Sequence, residues 1–341
     1  MQGKAIIVKS LSGPENCVID CENSGRGFYI HEGEGRDTVI SGFTIKNGNA
    51  GANYYGGAIY CKNLSDSVSS TPTIENCIIK NNTADDGGGI ACLYTGATVT
   101  NCQIINNHST YGGGIFSLWP RLERDDLFVV NSIISGNHAS DEGGGVWFYK
   151  LPFGGAHLEV TNATIANNVA NDGGGVYLGE CTQEIITNSV MWGNTTNNMA
   201  VYNCNPIITH SAGTGYTGEG NIEEDPLFMS TTDPDPENWN LRLQPGSPCI
   251  DTGSNSVAGI PDKDIDGKPR FIDGDGDEYM TAQVDMGAYE YGDICECDFL
   301  KDLDTDGEDL IGYLNDPGSL DLSILAEDFG RDNCPNYEFT P

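Results

Sequence analysis

Short alternations of apolar and polar residues recur along most of the chain. Runs such as TIENCII, which starts at residue 73, have a period of 2 and contain many β-branched residues. A period of 2 predicts strands, whereas helices give a period of 3.6. No helical pattern lies between these runs, so the sequence excludes a doubly wound α/β sheet.

The alternating runs belong to an internal repeat that ends in three glycines. Four copies read TIENCIIKNNTADDGGGIAC, TVTNCQIINNHSTYGGGIFS, FVVNSIISGNHASDEGGGVWF and EVTNATIANNVANDGGGVYL. One asparagine recurs 25, 30, 31 and 26 residues apart, at Asn82, Asn107, Asn137, Asn168 and Asn194. Copies of this length, with short strands and sharp turns, are typical of the turns of a parallel β-helix, which stack about 4.8 Å apart.

The repeat register, NC-x-I-x-x-N-x-A-x-x-GGGI, resembles that of the right-handed parallel β-helix repeat proteins over about residues 1–215. The resemblance implies an all-β solenoid. We interpret the glycines as corner residues and the recurring asparagine as an internal amide ladder or a left-handed corner. A phosphate-binding loop is excluded, because no Lys-Ser/Thr follows the glycines. The first residues, MQGKAIIVKS, read like the interior of a β structure, so we expect the natural N-terminus to be missing.

Two columns beside the glycines are candidates for ligand binding. The position after the inward aliphatic residue is predicted to point outward and is aromatic in four of five copies: Tyr60, Phe116, Trp147 and Tyr177, with Ala91 as the exception. Acidic residues precede the glycines at Asp86, Glu142 and Asp172. An exposed aromatic strip beside carboxylates would bind sugars by stacking and hydrogen bonding. Alternatively, the loops LWPRLERDDL and YKLPFGGAH fold over the strip and bury it.

The same acidic residues are weak candidates for catalysis. Glu142 and Asp172 would lie on adjacent turns, about 5 Å apart, which resembles the carboxylate separation of retaining glycosidases. Asp86 and Glu142 would lie two turns apart, about 10 Å. The NTD, GHG and RIK motifs of polygalacturonase-like enzymes do not occur in the sequence. Lys and Arg are scarce where a pectate lyase-like enzyme would need them.

Cysteines and histidines also recur in register. Cys77 and Cys102 share one repeat position, and Cys61 and Cys92 share another. Either pair could form a disulfide or pack as buried thiols, and the sequence leaves both alternatives open. Cys17 and Cys21 are a further possible pair. His108 and His138 also share a position, where we expect exposed turn residues rather than a metal site.

After residue 215 the repeat stops and Asp, Pro and Gly accumulate. The series DPLF, NWNLRLQPGSPCIDTG, DIDGKPR and VDMGAYEY resembles the closing segment of secreted or surface-anchored β-helix proteins. We therefore expect residues 216–292 to cap the open end of the coil. Three aspartates within this segment are further candidates for Ca²⁺ ligands, at Asp273, Asp275 and Asp277.

The last segment, residues 293–341, resembles a small α-helical dockerin-like module with an EF-hand loop. Asp302, Asp304 and Asp306 fit loop positions 1, 3 and 5, and the resemblance of DLSILAEDFG places Asp321 at position 12. The thirteen residues 308–320 depart from the pattern, because an EF-hand loop has about five residues there. Cys297 and Cys334 flank the module, and Cys295 is a rival partner for either. The predicted cofactor is Ca²⁺, and a cohesin-like protein is one predicted partner.

Charge narrows the choice of function. The 341 residues include 50 acidic and 16 basic ones, for a net charge of -34, which excludes nucleic acid as a partner. No apolar run is long enough to span a membrane. Abundant Asn, Gly, Thr and Ser with few Lys favour an extracellular or cell-surface location.

The leading hypothesis is a non-enzymatic protein for adhesion, surface structure or binding of glycans. The alternatives are a polysaccharide hydrolase or lyase and a self-associating structural subunit.

Overall fold

The computed structural model describes residues 3–51, 54–64, 69–120, 122, 125–150, 155–181, 184–272 and 283–292. These residues form an all-β parallel solenoid, as the repeat predicts. The predicted dockerin-like module and its ligands, Asp302, Asp304, Asp306 and Asp321, lie outside the described residues. The weaker candidates Asp273, Asp275 and Asp277 lie outside them as well.

Three long parallel sheets form the sides of the solenoid. Sheet A contains β1 (Ile7–Lys9), β4 (Val39–Ser41), β7 (Thr73–Glu75), β10 (Ala97–Thr100), β14 (Leu127–Val130), β18 (Leu158–Thr161), β21 (Ile185–Thr187) and β24 (Ile207–Thr209). Sheet B contains β2 (Val18–Asp20), β5 (Thr44–Lys46), β8 (Ile78–Lys80), β11 (Gln103–Ile105), β15 (Ile133–Ser135), β19 (Thr164–Ala166) and β22 (Val190–Trp192). The third, sheet C, contains β3 (Phe28–Ile30), β6 (Ile59–Lys62), β9 (Ile90–Leu93), β13 (Ile115–Leu118), β17 (Val146–Tyr149), β20 (Val176–Gly179) and β23 (Met199–Tyr202).

Two smaller strand pairs complete the described elements. Strands β12 (His108–Tyr111) and β16 (His138–Glu142) pair in parallel at the corner before sheet C. Strands β25 (Phe228–Ser230) and β26 (Asn240–Leu243) are antiparallel, and the 3-10 helix Pro236–Asn238 lies between them. The described residues contain no helix with the length and apolar character that a membrane crossing requires.

The recurring asparagine forms an internal amide ladder. Asn107 donates from its backbone nitrogen and from Nδ2 to Oδ1 of Asn137, at 3.0 and 2.9 Å. Asn137 repeats both hydrogen bonds to Asn168, and its Nδ2 also donates to the Ile104 carbonyl at 2.8 Å. The left-handed conformation belongs to the preceding residue instead, for example Asn106 with a φ of 55°. Each ladder amide therefore fixes the register of two adjacent turns.

The glycine triplets are corner residues, as predicted. The first glycine is left-handed, with a φ of 62° at Gly112. The second has no room for a side chain, because a Cβ on Gly113 would lie 2.5 Å from the carbonyl oxygen of Gly144 on the next turn. Any larger residue would push adjacent turns apart.

The lumen of the solenoid is apolar. Strands of all three sheets contribute fully buried aliphatic residues that stack in columns, including Ile45, Ile74, Ile79, Ile90, Ile104, Ile115, Ile134, Val146, Ile165 and Val176. This column packing is the physical reason for the period of 2, since every second strand residue points inward.

Only the first residues of the segment after the repeat close the end of the lumen. Tyr216 is buried in the main core and donates its hydroxyl hydrogen to Sδ of Met191 at 3.4 Å. Ile222 still pairs in parallel with Ala212 on the last turn, and the chain beyond it runs back along the outer face of sheet B, where Leu241, Ala288 and Tyr289 pack on Ile133 and Ala166. The predicted end cap therefore describes only the start of this segment, and the remainder is a lateral support for the later turns.

A buried charge cluster holds this lateral support in place. The Arg270 guanidinium is fully buried, 2.9 Å from Oε2 of Glu290, and also donates to Oδ1 of Asn131 at a corner of the solenoid. Asp285 is fully buried and accepts hydrogen bonds from the backbone of Asp251 and Tyr291. Burial raises the pKa of Asp285 to about 8, and burial together with the nearby Asp285 raises the pKa of Glu290 to about 9.

The amide ladder should dominate the stability of the middle turns. Replacing Asn137 by Ala leaves the backbone N–H of Asn107 and one hydrogen of its Nδ2 without an acceptor in a dry interior, and removes one donor to the Ile104 carbonyl. We expect Asn137→Ala to lower the free energy of unfolding by about 3 kcal/mol. Urea denaturation followed by circular dichroism measures this. Asn171→Ala, at an exposed turn asparagine, is the control and should change stability by less than about 0.5 kcal/mol. Equal effects of the two variants would contradict a special role of the ladder.

The buried carboxyls should make the fold less stable in alkali. Asp285 and Glu290 have raised pKa values in the folded state, so above about pH 4 the folded chain holds protons that the unfolded chain releases. Their contribution is complete below about pH 4 and is lost as the pH rises through 8 to 9. We expect the urea midpoint to fall between pH 6 and pH 9, and to fall less steeply in Asp285→Asn. The exposed Glu224→Gln should keep the wild-type slope, and an unchanged slope in Asp285→Asn would refute the assignment.

Candidate functional site

The predicted aromatic strip points away from the lumen but is buried. Tyr60, Phe116, Trp147 and Tyr177 are at most 8% exposed, and with Ala91 they form an apolar cluster separate from the main core. Their rings stack turn upon turn, with centroids 4.8 Å apart for Phe116 and Trp147 and 6.0 Å apart for Trp147 and Tyr177. The expectation of exposed ring faces was wrong for these four residues, because each ring covers the face of its neighbour. We call this column the ring stack.

Tyr55 fills the gap that Ala91 leaves in the ring stack. Its ring lies 5.5 Å from that of Tyr60 and 5.8 Å from that of Phe116, measured between centroids. Tyr55 occupies the position before the glycines, which is acidic in three other copies. The sequence carries a signal for this contact, since a corner tyrosine sits one turn before the only small residue of the strip. The strand period alone does not predict that a residue before the glycines contacts the aromatic strip on the next turn.

The residues before the glycines form a second column at the edge of sheet C. Parallel bridges connect consecutive turns from Tyr55 to Asp172, and all the side chains are half-buried except that of Asp172, which is exposed. We call this set the acidic column; its members in order are Tyr55, Asp86, Tyr111, Glu142 and Asp172. The structure thus brings together, on one line, all three carboxylates that the sequence singles out.

The three carboxylates have different surroundings. Oε2 of Glu142 accepts a hydrogen bond from Nε1 of Trp147 at 2.9 Å, and the carboxylate also contacts the Tyr177 hydroxyl, so Glu142 ties the two columns together. Asp172 accepts from Nδ2 of Asn197 at 3.1 Å at the surface. Burial, and then the neighbouring Asp85, raise the pKa of Asp86 to about 6.

The tyrosine hydroxyls of this region are held protonated. Burial and then Glu142 raise the pKa of Tyr177 to about 12. A hydrogen bond with Asp141, and then burial, raise the pKa of Tyr111. The column therefore presents three carboxylates and two tyrosine hydroxyls along the solenoid axis, and both kinds of group can hydrogen-bond the hydroxyl groups of a sugar chain.

Comparison with known proteins gives one weak structural similarity. No protein-family model matches the sequence. No curated protein matches it either. Among solved structures, the chain is similar to one titled as the crystal structure of pectate lyase Pel9A, with a TM-score of 0.30 and 15% identity over 86% of this chain and 84% of that chain. A similarity of this size says nothing about function, so the functional interpretation depends on the geometry of the columns.

The remaining predicted side chains lie apart from the acidic column or outside the region described. His108 and His138 are exposed register partners with ring centroids 5.7 Å apart. Among the described residues, the cluster with metal-ligand spacing is Cys181, Glu184 and Cys204. In the structure Cys181 and Cys204 are joined by a disulfide. Burial, and then His138, lower the pKa of His108, as expected for two neighbouring imidazoles.

Tyr55 should stabilise the ring stack measurably. Tyr55→Ala opens a gap over Ala91 and exposes one face of Tyr60 and of Phe116, so we expect a loss of about 2 kcal/mol in the free energy of unfolding. The neighbouring Tyr54 is 61% exposed and provides a matched control. Tyr54→Ala should cost less than about 0.5 kcal/mol in the same urea titration. If both variants lose the same amount, Tyr55 does not complete the stack.

Proposed function

We propose that the protein binds a neutral carbohydrate chain along the acidic column. The observation that supports this most is the alternation of Asp86, Tyr111 and Glu142 on consecutive turns, followed by Asp172. Adjacent turns lie about 4.8 Å apart, close to the length of one sugar residue in an extended chain. A linear polymer lying parallel to the solenoid axis would meet a similar set of polar groups at each step.

The electrostatics favour a neutral polymer over an acidic one. None of the ion pairs found among the described residues involves Asp86, Glu142 or Asp172. Their negative charge adds to a net charge of -34 for the whole chain. Polyanions such as pectate would be repelled by this face, whereas neutral hydroxyl groups can donate hydrogen bonds to its carboxylates.

Contact with the sugar rings would come from half-buried aromatics at the margin of the ring stack. The four aromatic residues of the ring stack, for which the sequence predicts sugar binding, are too well covered to stack on a ligand. Tyr111 and Tyr149 are half-buried, and Trp119 is 36% exposed and stacks on Tyr94 with centroids 6.0 Å apart. Tyr111 provides apolar surface within the acidic column itself, whereas Tyr149, Trp119 and Tyr94 lie at the opposite ends of the sheet C strands.

Hydrolysis of the bound chain is a second candidate function. Asp86 is the carboxyl of the acidic column with a raised pKa, about 6, which suits a proton donor near neutral pH. Glu142 lies two turns away, about 10 Å by strand spacing, slightly beyond the range for inverting glycosidases. Glu142 is already engaged by Trp147, so we place binding ahead of catalysis.

The remaining parts of the proposal follow from the sequence. We propose an extracellular or cell-surface location, and a Ca²⁺-binding module at residues 293–341 that would attach the protein to a cohesin-like partner. Self-association through the ends of the solenoid is an alternative mode of assembly. Each of these stays a prediction from the sequence.

Affinity electrophoresis of the full chain tests the binding proposal. We expect soluble neutral glucans or mannans to retard the protein and polygalacturonate to leave its mobility unchanged, with EDTA present. Asp86→Asn and Asp172→Asn should each weaken binding about tenfold, because each replaces a charged acceptor. Glu75→Gln, in β7 on the outer side of sheet A, is the matched control and should bind like wild type.

Two outcomes would change this conclusion. Retardation by no neutral polymer, or equal weakening in Glu75→Gln, would refute binding at the acidic column. Release of reducing ends from the bound polymer, with loss of release as the pH rises above about 6 and in Asp86→Asn, would establish hydrolysis instead.

A further inference from the structure

Two cysteines face each other inside the lumen behind the ring stack. Cys61 in β6 and Cys92 in β9 are register partners on adjacent parallel strands. Both side chains are fully buried, and the two thiols hydrogen-bond each other. In the part of the chain that the structure describes, neither sulfur has a hydrogen bond to a backbone carbonyl, so each thiol has the other as its polar contact.

Cys77 and Cys102 stack in the same way and also hydrogen-bond each other, but each of these sulfurs has a backbone carbonyl as a further partner. Sγ of Cys77 donates to the carbonyl oxygen of Glu75 at 3.2 Å, and Sγ of Cys102 donates to that of Thr100 at 3.2 Å. Each contact joins a side chain to the carbonyl two residues earlier, at the corner between sheets A and B.

Serines make the same contact at the equivalent corner on later turns. The hydroxyls of Ser132, Ser189 and Ser211 donate to the carbonyls two residues earlier, at 2.7, 2.8 and 2.9 Å. Cys77 and Cys102 therefore replace serine as hydrogen-bond donors. Oxidation would remove both thiol hydrogen bonds, and the backbone N–H groups of Gly42 and Asn76 would remain as the partners of these carbonyls.

We propose that Cys61 and Cys92 form a disulfide between adjacent turns, whereas Cys77 and Cys102 remain thiols. Register partners on adjacent strands are separated by about 4.8 Å, within the Cα range that a disulfide permits. Cys181 and Cys204, with Cα atoms 4.7 Å apart, form such a link between later turns of the same solenoid. The Cys61–Cys92 link lies directly behind Tyr60 and Ala91, where Tyr55 enters the ring stack.

The reaction needs a disulfide oxidant such as oxidised glutathione. The thiolate of one cysteine attacks the oxidant and releases one reduced thiol, which leaves a mixed disulfide. The second thiolate attacks this bond and releases the other reduced thiol, so two protein thiols are oxidised and one external disulfide is reduced. Both cysteines lie in a closed lumen, and the hydrogen bond with Cys92, and then burial, raise the pKa of Cys61. The exchange therefore belongs to folding, before the second turn covers the first.

Peptide mapping of the full chain tests the proposal. The protein is refolded with reduced and oxidised glutathione, then denatured without reductant in iodoacetamide, digested and analysed by mass spectrometry. We expect a linked peptide pair containing Cys61 and Cys92, two hydrogen masses lighter than the sum of the free peptides. Cys77 and Cys102 should be fully alkylated. The linked pair of Cys181 and Cys204 is the internal positive control.

Several results would overturn the assignment. Alkylated Cys61 and Cys92 in a sample that contains the Cys181–Cys204 link would exclude the disulfide. A Cys77–Cys102 link, or a link from Cys61 to Cys17 or Cys21, would show that the pairing is wrong. Cys77→Ser should refold and retain the Cys61–Cys92 link, since a hydroxyl fits this corner. If that variant does not fold, the wild-type map decides the question by itself.

Discussion

The hydrogen bonding of one turn of the chain to the next is the constraint on which the rest of this structure depends. Each turn is too small to bury its own apolar side chains, so it is stable only in register with its neighbours. The asparagine ladder sets that register from inside, since Asn107 binds the amide of Asn137 and Asn137 that of Asn168. The glycine corners allow the required approach, because a Cβ at Gly113 would collide with the turn above.

Because the turns stack in register, equivalent residues form columns, and the chemical character of each face depends on which residues form its columns. A residue type repeated at one position becomes a line of side chains about 4.8 Å apart. At one position this produces the ring stack, which is held by contacts between aromatic faces. At another it produces the acidic column, in which Asp86 and Glu142 are half-buried and Asp172 is exposed. Glu142 connects the two columns through Trp147, so the acidic column is coupled to the packing of sheet C.

The sequence predicted where the residues of the candidate site lie more accurately than how exposed their side chains are. The register placed Asp86, Glu142 and Asp172 on one line, and the structure does the same. It also placed Tyr60 and Trp147 on the outside of the coil, but their faces are covered by other rings. The exposure of these rings depends on contacts between side chains of different columns. Tyr55, for example, lies in the acidic column and covers Ala91, which lies in the column of the ring stack. The closing segment shows the same limit, since its resemblance to other closing segments predicted a cap but not the face on which the segment packs.

By itself, the sequence determined the strand period, the repeat, the glycine corners and the recurring position of the asparagine, because each of these depends on local backbone geometry and on a residue's equivalent one repeat away. The structure decided that this asparagine forms an amide ladder and not a left-handed corner. Only the tertiary structure decided which outward side chains remain accessible, where the segment after Tyr216 packs and what each cysteine contacts. These features depend on groups far apart in sequence, such as Arg270 and Asn131, whose meeting no repeat specifies. The repeated residues define the regular coil. The packing of the later segment on sheet B and the candidate site depend on residues that differ from turn to turn.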